Sequence, residues 1–325
     1  MFETSVTPVP FDPQMDVALT ADYYGGNQSL LPETIQQVRQ LGLDTEPPMS
    51  EIVAGLPVRY EDRVIPGPEG DITLTIVWPD AEPGTTFAGA VYNIHGGGMV
   101  AGSRFSGIET VVDMAIEYNV VGVSVEYRLA PEHPHPAPSE DCYAGLCWVA
   151  EHAEELGFDP DKLIVRGGSA GGGLTLAMAL MARDRGGPKL AGQMSIAPMI
   201  DDRNTSIASR QFERSGTWDR VSNHTGWTAL LGDERGGPDV SPYAAPIRAT
   251  DLSNLPPLFV EVGAAEPFRD EAVEYVSRVW AAGGRADLHV WDGGIHGFVR
   301  HAPEAIISKA AKDSQRSWLD RIYRA

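Results

Sequence analysis

The sequence predicts an α/β fold built on a mostly parallel sheet flanked by helices, on three observations. Short apolar runs recur at 90–94, 120–125, 163–165, 191–197 and 258–262. Runs of that length, apolar on both sides, suit strands buried on both faces of a parallel sheet. Segments with helical periodicity stand between them, at 107–118, 139–152, 174–184 and 269–281. Finally, the run 163–165 enters the glycine-rich stretch Gly167-Gly168-Ser169-Ala170-Gly171 and then passes straight into a helical pattern. Strand, tight turn and helix in that order form one βα unit.

The elements follow in chain order. Residues 1–50 carry no strand signal. Pro32 and Glu33 open a short helical pattern that sets Ile35, Val38 and Leu41 on one face. This segment reads as an N-terminal arm, packed elsewhere on the protein as part of a lid or cap. Residues 51–325 read as the main domain. Strands 58–65 and 72–78 alternate around Gly67-Pro68-Glu69-Gly70 and predict a hairpin. Strand 90–94 runs into His95-Gly96-Gly97-Gly98, and helix 107–118 crosses over to strand 120–125. A proline-rich loop follows, then helix 139–152 with Ser139 as its cap.

The strand 163–165, the helix 174–184 and the strand 191–197 continue the alternation, which then breaks. Residues 198–250 hold Asp201-Asp202, Trp218, Trp227 and a glycine-rich loop at 232–237, and read as an inserted segment instead of a further βα unit. Strands 258–262 and 286–291 enclose helix 269–281, and an amphipathic helix at 303–323 ends the chain.

Composition bounds the function. The 325 residues are 42% hydrophobic, enough for one large domain with an accessory piece. A net charge of -20 argues against nucleic acid and anionic membrane as partners. The N-terminus has no basic stretch followed by an apolar core, and no apolar run reaches membrane-spanning length. Cys142 and Cys147 fall in one predicted helix, about 7–8 Å apart along its axis and on different faces. That predicts two buried free thiols, no disulfide and a reducing, cytoplasmic location.

The chemistry gathers at Ser169. Gly-x-Ser-x-Gly between strand and helix is the setting of a nucleophile elbow, in which a strained turn lifts the serine Oγ above the sheet. An idle serine in a glycine-rich turn is the plain alternative, since the chain holds 35 glycines. A serine hydroxyl needs a base within hydrogen-bond reach, and the base needs an orienting acid. His296 is the candidate base. It follows the last strand in Asp292-Gly293-Gly294-Ile295-His296-Gly297. Glu266, just after strand 258–262, is the candidate acid; Asp270 is its main competitor, with Asp201 and Asp202 third. Gly97, Gly98 and Ala170 are candidate backbone donors for a developing oxyanion. His95 reads as structural. His133 and His135 have no accompanying ligand cluster, so no metal is expected, and no dinucleotide fingerprint or other cofactor motif is present.

With these pieces in view, the sequence resembles the hormone-sensitive-lipase-like esterases, the bacterial family IV branch of the α/β-hydrolase fold. The matching stretches are HGGG from His95, YRLAPEHPHPAP from Tyr127, GGSAGGG around Ser169, SPYAAP from Ser241, LPPLFVEVG from Leu255, EPFRDEA from Glu266 and IHGF from Ile295. The resemblance implies a serine carboxylesterase acting on short-chain esters through an acyl-enzyme, with Ser169, Glu266 and His296 as its triad. It implies Gly97, Gly98 and Ala170 as the oxyanion hole, a helical cap from the arm and the insertion near 200–235, and a family in which homodimers occur. An amidase or lactonase would use the same machinery, and a non-catalytic receptor on this fold would have lost a triad member. Two positions depart from the family pattern: Glu266 stands where aspartate is usual, and Gly168 stands where an acid often precedes the serine. Met99 also stands where an aromatic is common.

Overall fold

The computed structural model describes residues 6–26, 28–82 and 84–324. Its strands are β1 (Val58–Gly67), β2 (Gly70–Pro79), β3 (Ala90–Ile94), β4 (Val121–Glu126), β5 (Leu163–Gly168), β6 (Gly192–Ile196), β7 (Leu258–Gly263) and β8 (Ala286–Trp291). They form one sheet in the order β1-β2-β4-β3-β5-β6-β7-β8. Only β1 with β2 and β2 with β4 are antiparallel. The pairs from β4 to β8 are parallel, because helical crossovers join their strands.

Two helical layers sandwich the sheet. Helices Ala137–Glu151, Ala170–Arg185 and Arg269–Ala281 pack on one face, joining Tyr92, Val123, Val165 and Val260 in the main core. Helices Ile108–Tyr118 and Ile306–Tyr323 cover the other, over Val91, Ile164, Met194 and Phe259. Every residue of the central helix from Ala170 to Ala182 is buried. That is why its sequence is apolar all round instead of amphipathic.

Three expectations need correction. The helix predicted from 139 begins at Ala137, and Ser139 lies inside its first turn. There the Ser139 hydroxyl donates to the Pro136 carbonyl at 2.9 Å and caps no N–H group. Pro138 fits that first turn, where its missing N–H is no loss. The helix predicted from 174 begins at Ala170, so Gly171, Gly172 and Gly173 are helical. Glycine is a poor helix former, but tertiary crowding overrides that here: a Cβ on Gly173 would lie 2.1 Å from the Met199 carbonyl oxygen. Cys147 is only partly buried, although Cys142 is fully so; both are free thiols.

The two segments expected to form a cap are bonded to one another. The arm contains the helix Ile35–Thr45, and the insertion contains Ile207–Gln211 and Arg220–Leu231 and no strand. The Leu30 N–H donates to Ser222 Oγ at 2.9 Å, and the Thr225 hydroxyl donates to the Leu30 carbonyl at 2.9 Å. Arg39 reaches across to the carbonyls of Val100 and Ala130, at 2.5 and 2.6 Å.

Candidate active site

Ser169 ends the turn from β5 into the central helix with φ 59° and ψ −121°. This is a strained conformation for a residue with a side chain, typically about 1–3 kcal/mol above the ordinary wells. The flanking glycines make it attainable. A Cβ on Gly167 would sit 2.3 Å from the Gly171 carbonyl oxygen, and one on Gly171 would sit 2.0 Å from that of Ile94. Backbone bonds then lock the turn. The Ser169 N–H donates to Ile196 at 2.8 Å, and its carbonyl accepts from Gly173 and Met199, each at 3.0 Å.

Two other strand ends meet the elbow. His296, after β8, places Nε2 3.0 Å from Ser169 Oγ. Its Nδ1 makes a short hydrogen bond to Oε2 of Glu266, after β7. Glu266 is 1% exposed, and its other oxygen accepts from the Gly263 N–H at 2.8 Å. A carboxylate only accepts, so Nδ1 carries the proton and Nε2 is left free to accept from the serine. The Phe268 ring stands edge-on to the imidazole, 5.1 Å between centroids, and shields that side.

The rival acids are engaged elsewhere. Asp270 accepts from the Ala208 N–H at 2.8 Å and pairs with Arg269. Asp201 pairs with Arg203, and Asp202 is bound to Arg248 and the Gly236 N–H. Of the four carboxylates weighed from the sequence, only Glu266 reaches His296.

The glycine loop after β3 lies beside the serine: a Cβ on Gly96 would be 2.9 Å from the Gly168 carbonyl oxygen and 3.3 Å from Ser169 Cβ. Gly97 and Gly98 have φ 115° and 62°. The loop is folded back by Val100 and Ala101 N–H groups donating to the Gly97 carbonyl at 3.1 and 2.9 Å. The Gly97 and Gly98 N–H groups donate to no acceptor among the described residues. Ala170 is the first residue of its helix, where N–H groups have no intrahelical partner. His95 is buried, stacked on Tyr127 at 4.1 Å, and bonded to the Gly96 carbonyl at 2.7 Å. Burial pushes its pKa down, so it stays neutral and supports the loop. At Gly168, the residue before the serine, the nearest atom to an added Cβ is 3.9 Å away. Packing therefore does not demand the glycine.

Trp218, from the insertion, was legible only as an aromatic residue. Its indole covers Gly98, where an added Cβ would lie 2.3 Å from Cη2, and its centroid is 6.4 Å from that of His296. Nothing local in the sequence foretold the contact, because it spans well over a hundred residues. No cluster of His, Cys, Asp or Glu able to hold a metal ion occurs among the described residues.

A mostly parallel eight-stranded sheet with a strained serine after β5, a histidine after the last strand and a carboxylate between them in sequence defines an α/β hydrolase. The chain belongs to that family: the sequence profile of the α/β-hydrolase fold matches residues 91–300, and the curated relatives place it in the hormone-sensitive-lipase-like branch. It is 36% identical to the esterase LipI of Mycobacterium tuberculosis over 247 residues, 75% of this chain and 76% of that protein. It is 34% identical to the carboxylesterase NlhH of the same species over 82% of this chain and 83% of that one. Among solved structures, a bacterial heroin esterase superposes with a TM-score of 0.87 at 33% identity, covering 97% of this chain and 98% of that one.

Proposed function

We propose that the protein is a serine carboxylesterase that hydrolyses short-chain carboxylic esters through an acyl-enzyme. The observation that carries this reading is the line Ser169 Oγ, His296, Glu266, with 3.0 Å between Oγ and Nε2. In this mechanism His296 takes the Ser169 proton as Oγ attacks the ester carbonyl. The oxygen becomes negative and is met by the N–H groups of Gly97, Gly98 and Ala170. Preorganised donors of this kind are worth roughly 100- to 1000-fold each in turnover. His296, now charged and steadied by Glu266, gives its proton to the leaving alcohol. Water then enters, loses a proton to His296 and releases the acid, restoring Ser169.

In the same reading the arm of residues 1–50 and the insertion near 200–235 form a cap over the acyl pocket, with Trp218 as part of its wall. The bonds from Leu30 to the insertion support this. A cytoplasmic location is supported by the free thiols of Cys142 and Cys147.

The test is hydrolysis of a p-nitrophenyl ester series, acetate to laurate, by wild type and Ser169→Ala. Activity that declines with chain length and is absent from the variant is expected. A folded wild type that hydrolyses none of the series would overturn the reading.

A further inference from the structure

His296 stands on a glycine-rich loop after β8. Gly293 and Gly297 adopt φ 66° and 70°, and Gly294 lies between them. Contacts from the arm add to the hydrogen bonds the loop makes itself. The Asp12 N–H donates to the Gly293 carbonyl at 3.0 Å. Met15 and Ala18 pack with Ile295 and Phe298 in a separate buried cluster. The Tyr23 hydroxyl bonds to His301 Nδ1 at 3.1 Å. These contacts hold the ends of the loop, yet none touches His296.

The backbone of His296 is held from the insertion. The Thr217 hydroxyl donates to the backbone carbonyl of His296 at 2.5 Å. No other donor meets that carbonyl among the described residues. Thr217 is 6% exposed, so water is not a ready substitute. Its own carbonyl accepts from the Tyr24 hydroxyl of the arm at 2.6 Å. The next two residues extend the connection. Trp218 covers Gly98. Asp219 caps the helix Arg220–Leu231 through the Ser222 N–H at 2.7 Å, and makes a short bond to the Ser29 hydroxyl of the arm. Three consecutive residues thus join the arm, the base and the oxyanion loop.

We infer that Thr217 is a positioning residue for His296, and that Tyr24 holds it in place. The inference rests on the assignment of His296 as the base. Thr217 bonds to backbone and not to the space above Ser169, so its hydroxyl acts on the placement of the imidazole. A misplacement of about 1 Å at a reacting group can lower a rate by roughly 100-fold. The cap is then part of the catalytic geometry as well as the cover of a pocket.

The test compares Thr217→Val, Thr217→Ser and Tyr24→Phe with wild type and Ser169→Ala on p-nitrophenyl butyrate. Valine keeps the shape and loses the hydroxyl; serine keeps the hydroxyl. Thr217→Val is expected to lower kcat by about 10- to 100-fold with KM within about twofold of wild type. Thr217→Ser is expected to return kcat to within about threefold, and Tyr24→Phe to lie between. A Thr217→Val enzyme with wild-type kcat, or a Thr217→Ser enzyme as slow as the valine variant, would overturn the inference. If the valine variant does not fold, a Tyr24→Phe enzyme with unchanged kcat overturns it as well. Activity surviving in Ser169→Ala would instead overturn the site assignment beneath it.

Discussion

Glu266→Gln is the perturbation that separates the candidate acids most sharply. Glutamine keeps the shape and an oxygen that can accept from the Gly263 N–H, the 2.8 Å bond made by Oε1. The change falls on the other oxygen, which in the native protein accepts from His296 Nδ1. An amide NH2 there is a donor, and it faces the Nδ1 proton. The imidazole can relieve the clash by moving its proton to Nε2, but that nitrogen must be free to accept from Ser169. The variant therefore holds its base in the wrong tautomer, and it also loses the charge that stabilises the imidazolium. In a serine protease the corresponding aspartate-to-asparagine change lowers kcat by about 10,000-fold. At 1.36 kcal/mol per decade that is about 5 kcal/mol of transition-state stabilisation. We expect a loss of about 1,000- to 10,000-fold in kcat/KM for Glu266→Gln. For Asp270→Asn, whose partners are Ala208 and Arg269, we expect a loss within about threefold. Initial rates on p-nitrophenyl butyrate, with circular dichroism to verify folding, decide it. Equal losses, or the larger loss in Asp270→Asn, would refute the reasoning.

Two further predictions follow from other parts of the structure. Gly98→Ala would place a methyl group 2.3 Å from the Trp218 ring at φ 62°, so the loop or the indole must move. Displacing one oxyanion donor should lower kcat by about 100-fold or more in a folded protein; a loss under about threefold would show that Gly98 is not a donor. Glu261 concerns stability. It is buried in β7 with Gln315 Nε2 donating to it at 2.7 Å, and burial pushes its pKa up to about 7. Because the native pKa exceeds the unfolded one, the folded state binds the extra proton, and stability falls as pH rises from about 4.5 through about 7. The decline attributable to this group is at most about 3 kcal/mol. Denaturant titrations at pH 5 and pH 8 should show a smaller decline for Glu261→Gln than for wild type. An identical decline would remove Glu261 as its source.

How much of this was legible in the chain depends on the range over which each feature is determined. The predicted bounds of β3 and β8 are the observed ones and those of the other strands lie within a few residues; for β3 to β7, burial on both faces leaves little choice of residue. The helix Arg269–Ala281 was read at its observed ends. Ser169 and His296 were legible because the glycines that shape their turns are local. Local sequence could not choose between Glu266 and Asp270, which are one helical turn apart. Their side chains point differently, one toward His296 and the other toward Ala208. Ser139 misled because a serine at an apparent helix start imitates a cap, while the prolines around it had already set the first turn. Gly171, Gly172 and Gly173 misled in the opposite sense, since propensity yielded to the close approach of β3 and the Met199 segment. The chain of contacts from Tyr24 through Thr217 to His296 left no local trace, because each link spans many tens of residues.

The most direct measurement of the central claim is covalent. Wild type is inactivated with diethyl p-nitrophenyl phosphate, digested, and the modified peptide located by mass spectrometry while residual esterase activity is followed. The account predicts one diethylphosphoryl group per chain, on the peptide carrying Ser169, with activity falling in step with its occupancy. Full labelling of Ser169 with esterase activity intact, or activity lost through modification of a different residue, would contradict it.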